Sequence, residues 1–183
     1  MAVRSGGPGT WVMLSYRLPR EPSTPRTTIW RKLKRLGVAQ IGDGVIALPA
    51  DARTREQLEW IAEEITEAAG SATIWLAQPT TTAAEKDLAA TMAAARAAEY
   101  THLTHAARDA AASPALEQAA TARRLRAELR RIQRRDYFPP PERDTARLAV
   151  HNLTTTTPNP TAPNPTVPIM GAPVKGAPVK EPS

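Results

Sequence analysis

The sequence predicts an α+β fold: a ferredoxin-like β-α-β-β-α-β sheet domain followed by two long helices and a disordered Pro-rich tail. Three observations predict it. Over about the first eighty residues, stretches of period two interleave with stretches of period 3.6. A Gly42-Asp43-Gly44 turn separates two short apolar runs. From Thr82 onward the composition becomes that of Ala-rich helix, and from Thr154 it becomes Pro and Thr.

Each element has its own local reason. Trp11–Leu18 alternates, with Val12, Leu14, Tyr16 and Leu18 on one side and Trp11, Met13, Ser15 and Arg17 on the other. That is the pattern of a half-buried strand. Ser23-Thr24-Pro25 offers a cap followed by proline in the first turn. Ile29, Leu33 and Leu36 then fall at i, i+4 and i+7, which predicts an amphipathic helix over 25–36 ending at Gly37. Val38–Ile41 and Val45–Leu48 flank the glycine turn as a hairpin, and Pro49 stops the second arm. Thr54-Arg55-Glu56-Gln57 reads as a capping box opening a helix over 55–69. Its core face is Leu58, Ile61, Ala62 and Ile65, and Gly70 ends it. Ala72–Ala77 alternates again before Gln78-Pro79. The order is the split βαβ arrangement, an antiparallel four-stranded sheet with two helices on one face. The later helices are the expected cover for the other face.

The remaining chain reads as helix. Thr82-Ala83-Ala84-Glu85 has the form of a second capping box and opens a helix to about Ala112. Ser113-Pro114 starts another, ending near Arg135. Pro139, Pro140 and Pro141 forbid its continuation. A short helix from Glu142 to about Asn152 has Ala146, Leu148 and Ala149 as its apolar side. The expected units are a flexible N-terminus (1–10), the sheet domain (11–80), a helical extension packed on it (82–152) and a disordered tail (154–183). The tail contains a doubled GAPVK pentapeptide and too little apolar surface to offset its ordering entropy.

Composition narrows the chemistry. The chain of 183 residues contains no cysteine, which excludes disulfides, thiol catalysis and zinc ribbons. Aromatic residues are 4%, so the core must be aliphatic, with Trp60 and Trp75 expected in the core or at an interface. No apolar run approaches membrane-spanning length and no secretory signal is seen, so a soluble cytoplasmic protein is expected. No Ser/His/Asp triad, Gly-rich phosphate loop or catalytic carboxylate pair appears. No catalytic residue, metal ligand or cofactor is expected, and the protein reads as non-enzymatic.

Charge is the strongest functional signal. Between residues 123 and 135 lie Arg123, Arg124, Arg126, Arg130, Arg131, Arg134 and Arg135, opposed by Glu128 alone. This stretch carries the whole formal net charge of +6. On a helical wheel these arginines occupy the half-cylinder opposite Leu125, Leu129 and Ile132. Arginine suits a phosphate-facing surface because its planar fork is always charged. A second group, Arg31, Lys32, Lys34 and Arg35, lies beside Trp30. These eleven residues are the candidate nucleic-acid contacts; the competing reading of both groups is a solvated helix face. Glu99, His102, His105 and Asp109 are spaced so that a metal site can be drawn on one helix. The alternative is a packing cluster in which Arg96, i−3 to Glu99, takes that carboxylate.

The segments TWVMLSYRLPREPSTPR (10–26), IWRKLKRLGVAQIGDGVIALPAD (29–51) and TREQLEWIAEEI (54–65) closely resemble the N-terminal domain of the chromate-resistance regulator ChrB. ARAAEYTHLTHAARD (95–109) and LRRIQRRDYFPPP (129–141) resemble its second half, so the likeness runs over about 10–150. The resemblance implies a cytoplasmic DNA-binding regulator of chromate-efflux genes, with the promoter of resistance genes as partner. It also implies a more distant likeness to PaaX-type repressors and the Cas2 ferredoxin-like fold. Two departures matter. A Pro/Thr tail stands where ChrB proteins usually continue into a chromate-resistance domain, so no chromate-sensing residue is carried over. The first strand reads Leu14-Ser15-Tyr16-Arg17, without the metal-binding Asp of Cas2-type nucleases, which argues against nuclease chemistry. No helix-turn-helix is evident. The alternative is therefore an accessory protein–protein interaction module of a chromate-resistance system. Whether the chain forms a homodimer is left open by the sequence.

Overall fold

A computed structural model describes residues 9–155. Its elements are β1 (Trp11–Arg17), α1 (Ser23–Leu36), β2 (Ala39–Gly42), β3 (Val45–Pro49), α2 (Ala52–Glu67), β4 (Ser71–Ala77), α3 (Thr82–Ala111), α4 (Ala115–Gln133) and α5 (Glu142–Thr155). The strands form one antiparallel sheet in the order β2-β3-β1-β4, the topology the sequence predicts. β1 lies at its centre. Val12 pairs with Leu48 and Leu76, and Leu14 with Ile46 and Ile74. Strand alternation puts these apolar residues on one face. Val12, Leu14, Ile46 and Leu48 are buried in one cluster with Ile29 and Leu33 of α1 and Leu58, Ile61 and Ile65 of α2.

The opposite face is covered unevenly. Ala39 and Ala47 are buried, Met92 and Leu88 of α3 join the same core, and Phe138 stacks on Trp11 at 5.9 Å. Towards β4 the cover stops. Trp75, paired with Met13, is 51% exposed and donates its indole N–H to Ser15 Oγ at 3.1 Å. Trp60 is 57% exposed on the outer side of α2, opposite Leu58 and Ile61. Of the two places expected for these tryptophans, the core is therefore corrected. β4 is also an edge strand without a charged side chain.

A second core forms where α3, α4 and α5 meet. It contains Tyr100, Leu103, Ala107 and Ala110, then Ala122, Leu125 and Ile132, then Ala146, Val150 and Leu153. In α5 the buried positions run i, i+4, i+7 from Ala146. The expected Leu148 is exposed because it falls off that stripe. α5 continues to Thr155, past the expected end near Asn152. The expected flexible 1–10 and tail 154–183 lie outside the described residues, save 9–10 and 154–155.

Helix starts differ from the sequence reading by one to three residues: α1 begins at Ser23 after Pro22, without the expected side-chain cap, α2 is capped three residues early and α3 one residue early. The capping box of α2 is Asp51 with Thr54: Thr54 N–H donates to Asp51 Oδ1 and Asp51 N–H to Thr54 Oγ1. Asp51 wins because Thr54 is buried and also donates to Pro49 O. Thr81, not Thr82, caps α3. At the end of α2 the left-handed residue is Ala69 (φ 57°), not Gly70. Gly70 is needed for another reason: a Cβ there would lie 2.6 Å from Arg17 O and 2.7 Å from Ile65 O. Gly37 does end α1 in the left-handed conformation (φ 73°), with its N–H donating to Lys34 O.

Candidate nucleic-acid interface

The basic surface begins with the amphipathicity of α4. Leu125 and Ile132 are buried and Leu129 half-buried, so the helix packs through the side the wheel assigns to the core. Arg123, Arg124, Arg126, Arg130, Arg131 and Arg134 are exposed. Arg135 is different: it is half-buried, and its Nη2 lies 3.0 Å from Glu99 Oε2. Its grouping with the solvent-facing arginines is corrected, since its charge is matched within the fold.

The second group divides in the same way. Arg31, Lys34 and Arg35 are exposed, and the Lys34 ammonium sits 5.1 Å above the Trp30 ring. Lys32 is half-buried and bridges to Glu64 of α2. Lys32 is thus an internal ion-pair member.

The tertiary fold brings the two groups together at one end of α1. Arg135 Nη1 donates to Lys34 O at 3.4 Å, and the Tyr137 hydroxyl donates to Leu36 O at 3.3 Å. Between them opens a cleft of about 520 Å³ lined by Lys34, Arg35, Arg53, Arg131, Arg134 and Arg135, with Glu128 as its acidic residue. Arg53, in the first turn of α2, is a cation that sequence reasoning passed over; its Nη2 donates to Arg134 O at 3.2 Å. Nothing in its local sequence marks it, because its place beside α4 arises only from packing. Arg126 goes elsewhere and lines a groove with Asp144 and Arg147 of α5. Arg123, Arg124 and Arg130 stay on the open face.

A polar cluster supports this surface from below. Arg96 is 8% exposed, and its Nη2 lies 3.1 Å from Glu99 Oε1, the pairing expected from their spacing. Burial lowers the Arg96 pKa, Glu99 acts against that, and Arg135 adds to it. Next to it, the Tyr100 hydroxyl donates to Asp136 Oδ2 at 2.8 Å. Burial, then this bond and the Asp136 charge, push the phenol well above its ordinary pKa. Burial likewise raises the Tyr137 phenol. The drawn metal set is not assembled: Glu99 is taken by two arginines, while His102, His105 and Asp109 are exposed. Among the described residues no three His, Asp or Glu side chains are grouped to hold a metal ion.

The family described as Protein ChrB, N-terminal, matches residues 26–120, just over half of the chain. The chain belongs to the ChrB N-terminal family. Membership carries the chromate-resistance context that the resemblance implied. The matched ChrB segment runs from α1 into the first turns of α4, which is shorter than the likeness over 10–150. It includes Arg31, Lys32, Lys34, Arg35 and Arg53, and it stops before Arg123. No curated protein and no solved structure matches the chain. Among the described residues, no helix is long and apolar enough to cross a membrane.

Proposed function

We propose that this ChrB-family chain is a non-enzymatic, cytoplasmic regulator that holds the backbone of promoter DNA along the exposed face of α4. One observation supports this most: Arg123, Arg124 and Arg130 are exposed on a helix whose leucine side is buried, and among the described residues none has a carboxylate partner. A helix packed through Leu125 and Ile132 presents these cations without disturbing its core. Phosphates neutralised by arginine release counterions, so binding weakens steeply with salt and is largely independent of base sequence.

The test is a salt titration of duplex binding, followed by fluorescence anisotropy. One duplex comes from the chain's own promoter region and a second is of unrelated sequence. Replacing Arg123, Arg124 and Arg130 with Gln removes up to three phosphate contacts. The slope of log affinity against log salt then flattens by about 0.9 for each, and both duplexes weaken alike. An unchanged slope in the folded variant makes these arginines a solvated face.

The second reading is a protein-interaction module. It is favoured by Trp75 and Leu76, both exposed on the uncharged edge strand β4. It takes precedence if the parent protein shows no salt-dependent duplex binding.

A further inference from the structure

The cleft between α1, α2 and α4 carries its own chemistry, separate from the open face of α4. We propose that it is an oxyanion site that seats one tetrahedral phosphate group, with Arg53, Arg131 and Arg134 as its recognition forks.

Cations from three elements converge there: Lys34 and Arg35 from the end of α1, Arg53 from the start of α2, and Arg131, Arg134 and Arg135 from the end of α4. Like charges brought together repel, and the fold offsets only part of this. Arg135 is matched by Glu99 and by Lys34 O, and Arg53 by Arg134 O. The two carbonyls belong to the ends of α1 and α4, where helix dipoles favour positive charge. Each guanidinium has five N–H donors, so these bonds leave most of them unspent. Among the described residues, Arg35, Arg131 and Arg134 have no carboxylate partner at all.

A further polar atom points the same way. Gln57 lines the cleft, and its Oε1 is buried without a hydrogen-bond partner. A half-turn of that amide exchanges the oxygen for the NH2 group and supplies a donor to an anion. The volume of about 520 Å³ lies in the range of small-ligand pockets. Donors arriving from three elements suit a tetrahedral group with several oxygens. A planar carboxylate needs only one fork.

Two sources supply this chemistry: a phosphodiester of a nucleic-acid backbone and a free phosphate. The probe is inorganic phosphate, titrated calorimetrically into the full chain at low ionic strength with chloride as control. Saturable binding of one phosphate per chain is expected, at least tenfold weaker in Arg131→Gln and in Arg53→Gln. Arg131→Lys keeps the charge and loses the fork, so it too binds more weakly than the parent. Arg108→Gln, exposed on α3 and outside the cleft, binds phosphate as the parent does. A short duplex that displaces the phosphate makes a backbone phosphodiester the occupant. Simultaneous binding makes it a free phosphate, and both results support the site. Because Arg53 also holds Arg134 O, Arg131→Gln is the deciding variant if Arg53→Gln unfolds. No saturable binding in the parent, or equal binding by the parent and folded Arg131→Gln, overturns the proposal. The readout does not depend on the open face, so loss of duplex binding and loss of phosphate binding are separate results.

Discussion

Glu99 holds Arg135 at 3.0 Å, joining the middle of α3 to the chain just past α4. The same carboxylate holds the buried Arg96 at 3.1 Å. One anion between two cations therefore fixes where the last turn of α4 sits, and with it Arg131 and Arg134. Removing that anion costs more than removing the outer cation. Glu99→Gln leaves Arg96 and Arg135 opposed with no negative charge between them, for a loss of about 1–3 kcal/mol, below the value for a fully buried pair because Glu99 is partly exposed. Arg135→Gln keeps the Arg96–Glu99 pair and costs less than about 1 kcal/mol. Urea unfolding of both variants checks the order; equal losses would show that Arg96 does not rely on Glu99.

Ala69 occupies a left-handed conformation that costs an L-residue about 1–2 kcal/mol. Ala69→Gly relieves this while adding roughly 0.5–1 kcal/mol of backbone entropy to the unfolded chain. A net gain of up to about 1 kcal/mol is expected, seen as a rise of a few degrees in Tm. Gly70→Ala works in the opposite direction, because its Cβ would meet Arg17 O. A fall in Tm for Ala69→Gly would mean that the alanine methyl packs usefully.

Alkaline pH tests the phenols. Tyr100, Tyr137 and Tyr16 all have raised pKa values in the fold, chiefly through burial. A raised folded pKa gives stability that is complete below the unfolded value, about 10, and is lost as pH rises above it. These groups therefore add no slope to Tm between pH 7 and 9, and a fall beginning near pH 10. Tyr100→Phe starts lower, by about 1–3 kcal/mol, since Asp136 loses its donor, and then falls less steeply. A parallel fall in parent and variant would remove Tyr100 from the account.

Trp11 and Phe138 stack at 5.9 Å with their planes 26° apart, tying the segment after α4 to the sheet. A double-mutant cycle with Trp11→Leu and Phe138→Leu is expected to give a coupling of about 0.5–1.5 kcal/mol. Strict additivity of the two losses would show the rings to be neighbours without energetic consequence.

Periodicity made the sheet and its two helices legible, because Val12 and Leu14, or Ile29 and Leu33, answer to burial at fixed spacing. The buried side of α4 was legible for the same reason. Helix starts were readable only to within one to three residues; Asp51 displaced Thr54 as the cap of α2 through a side-chain exchange that depends on the burial of Thr54. The site was only half legible. Clustering in the sequence revealed the arginines of α4, yet it could not separate Arg135, bound to Glu99, from Arg131. Nor could it find Arg53, whose neighbours come from helices distant in the chain. Trp60 and Trp75 misled because size alone suggests burial, whereas the face left open near β4 is a property of how far α3 reaches.

The strand order bears on how the family segment can be handled in isolation. β1, the strand between β3 and β4, ends at Arg17, whereas the matched segment begins at residue 26. A polypeptide trimmed to 26–120 would thus contain both flanking strands and lack the one that pairs with each. It would also strand the Tyr100 half of α3 without most of α4 and all of α5. The recognisable stretch of sequence and the stretch that builds the two buried cores are different objects in this molecule, and the second reaches from Trp11 to α5.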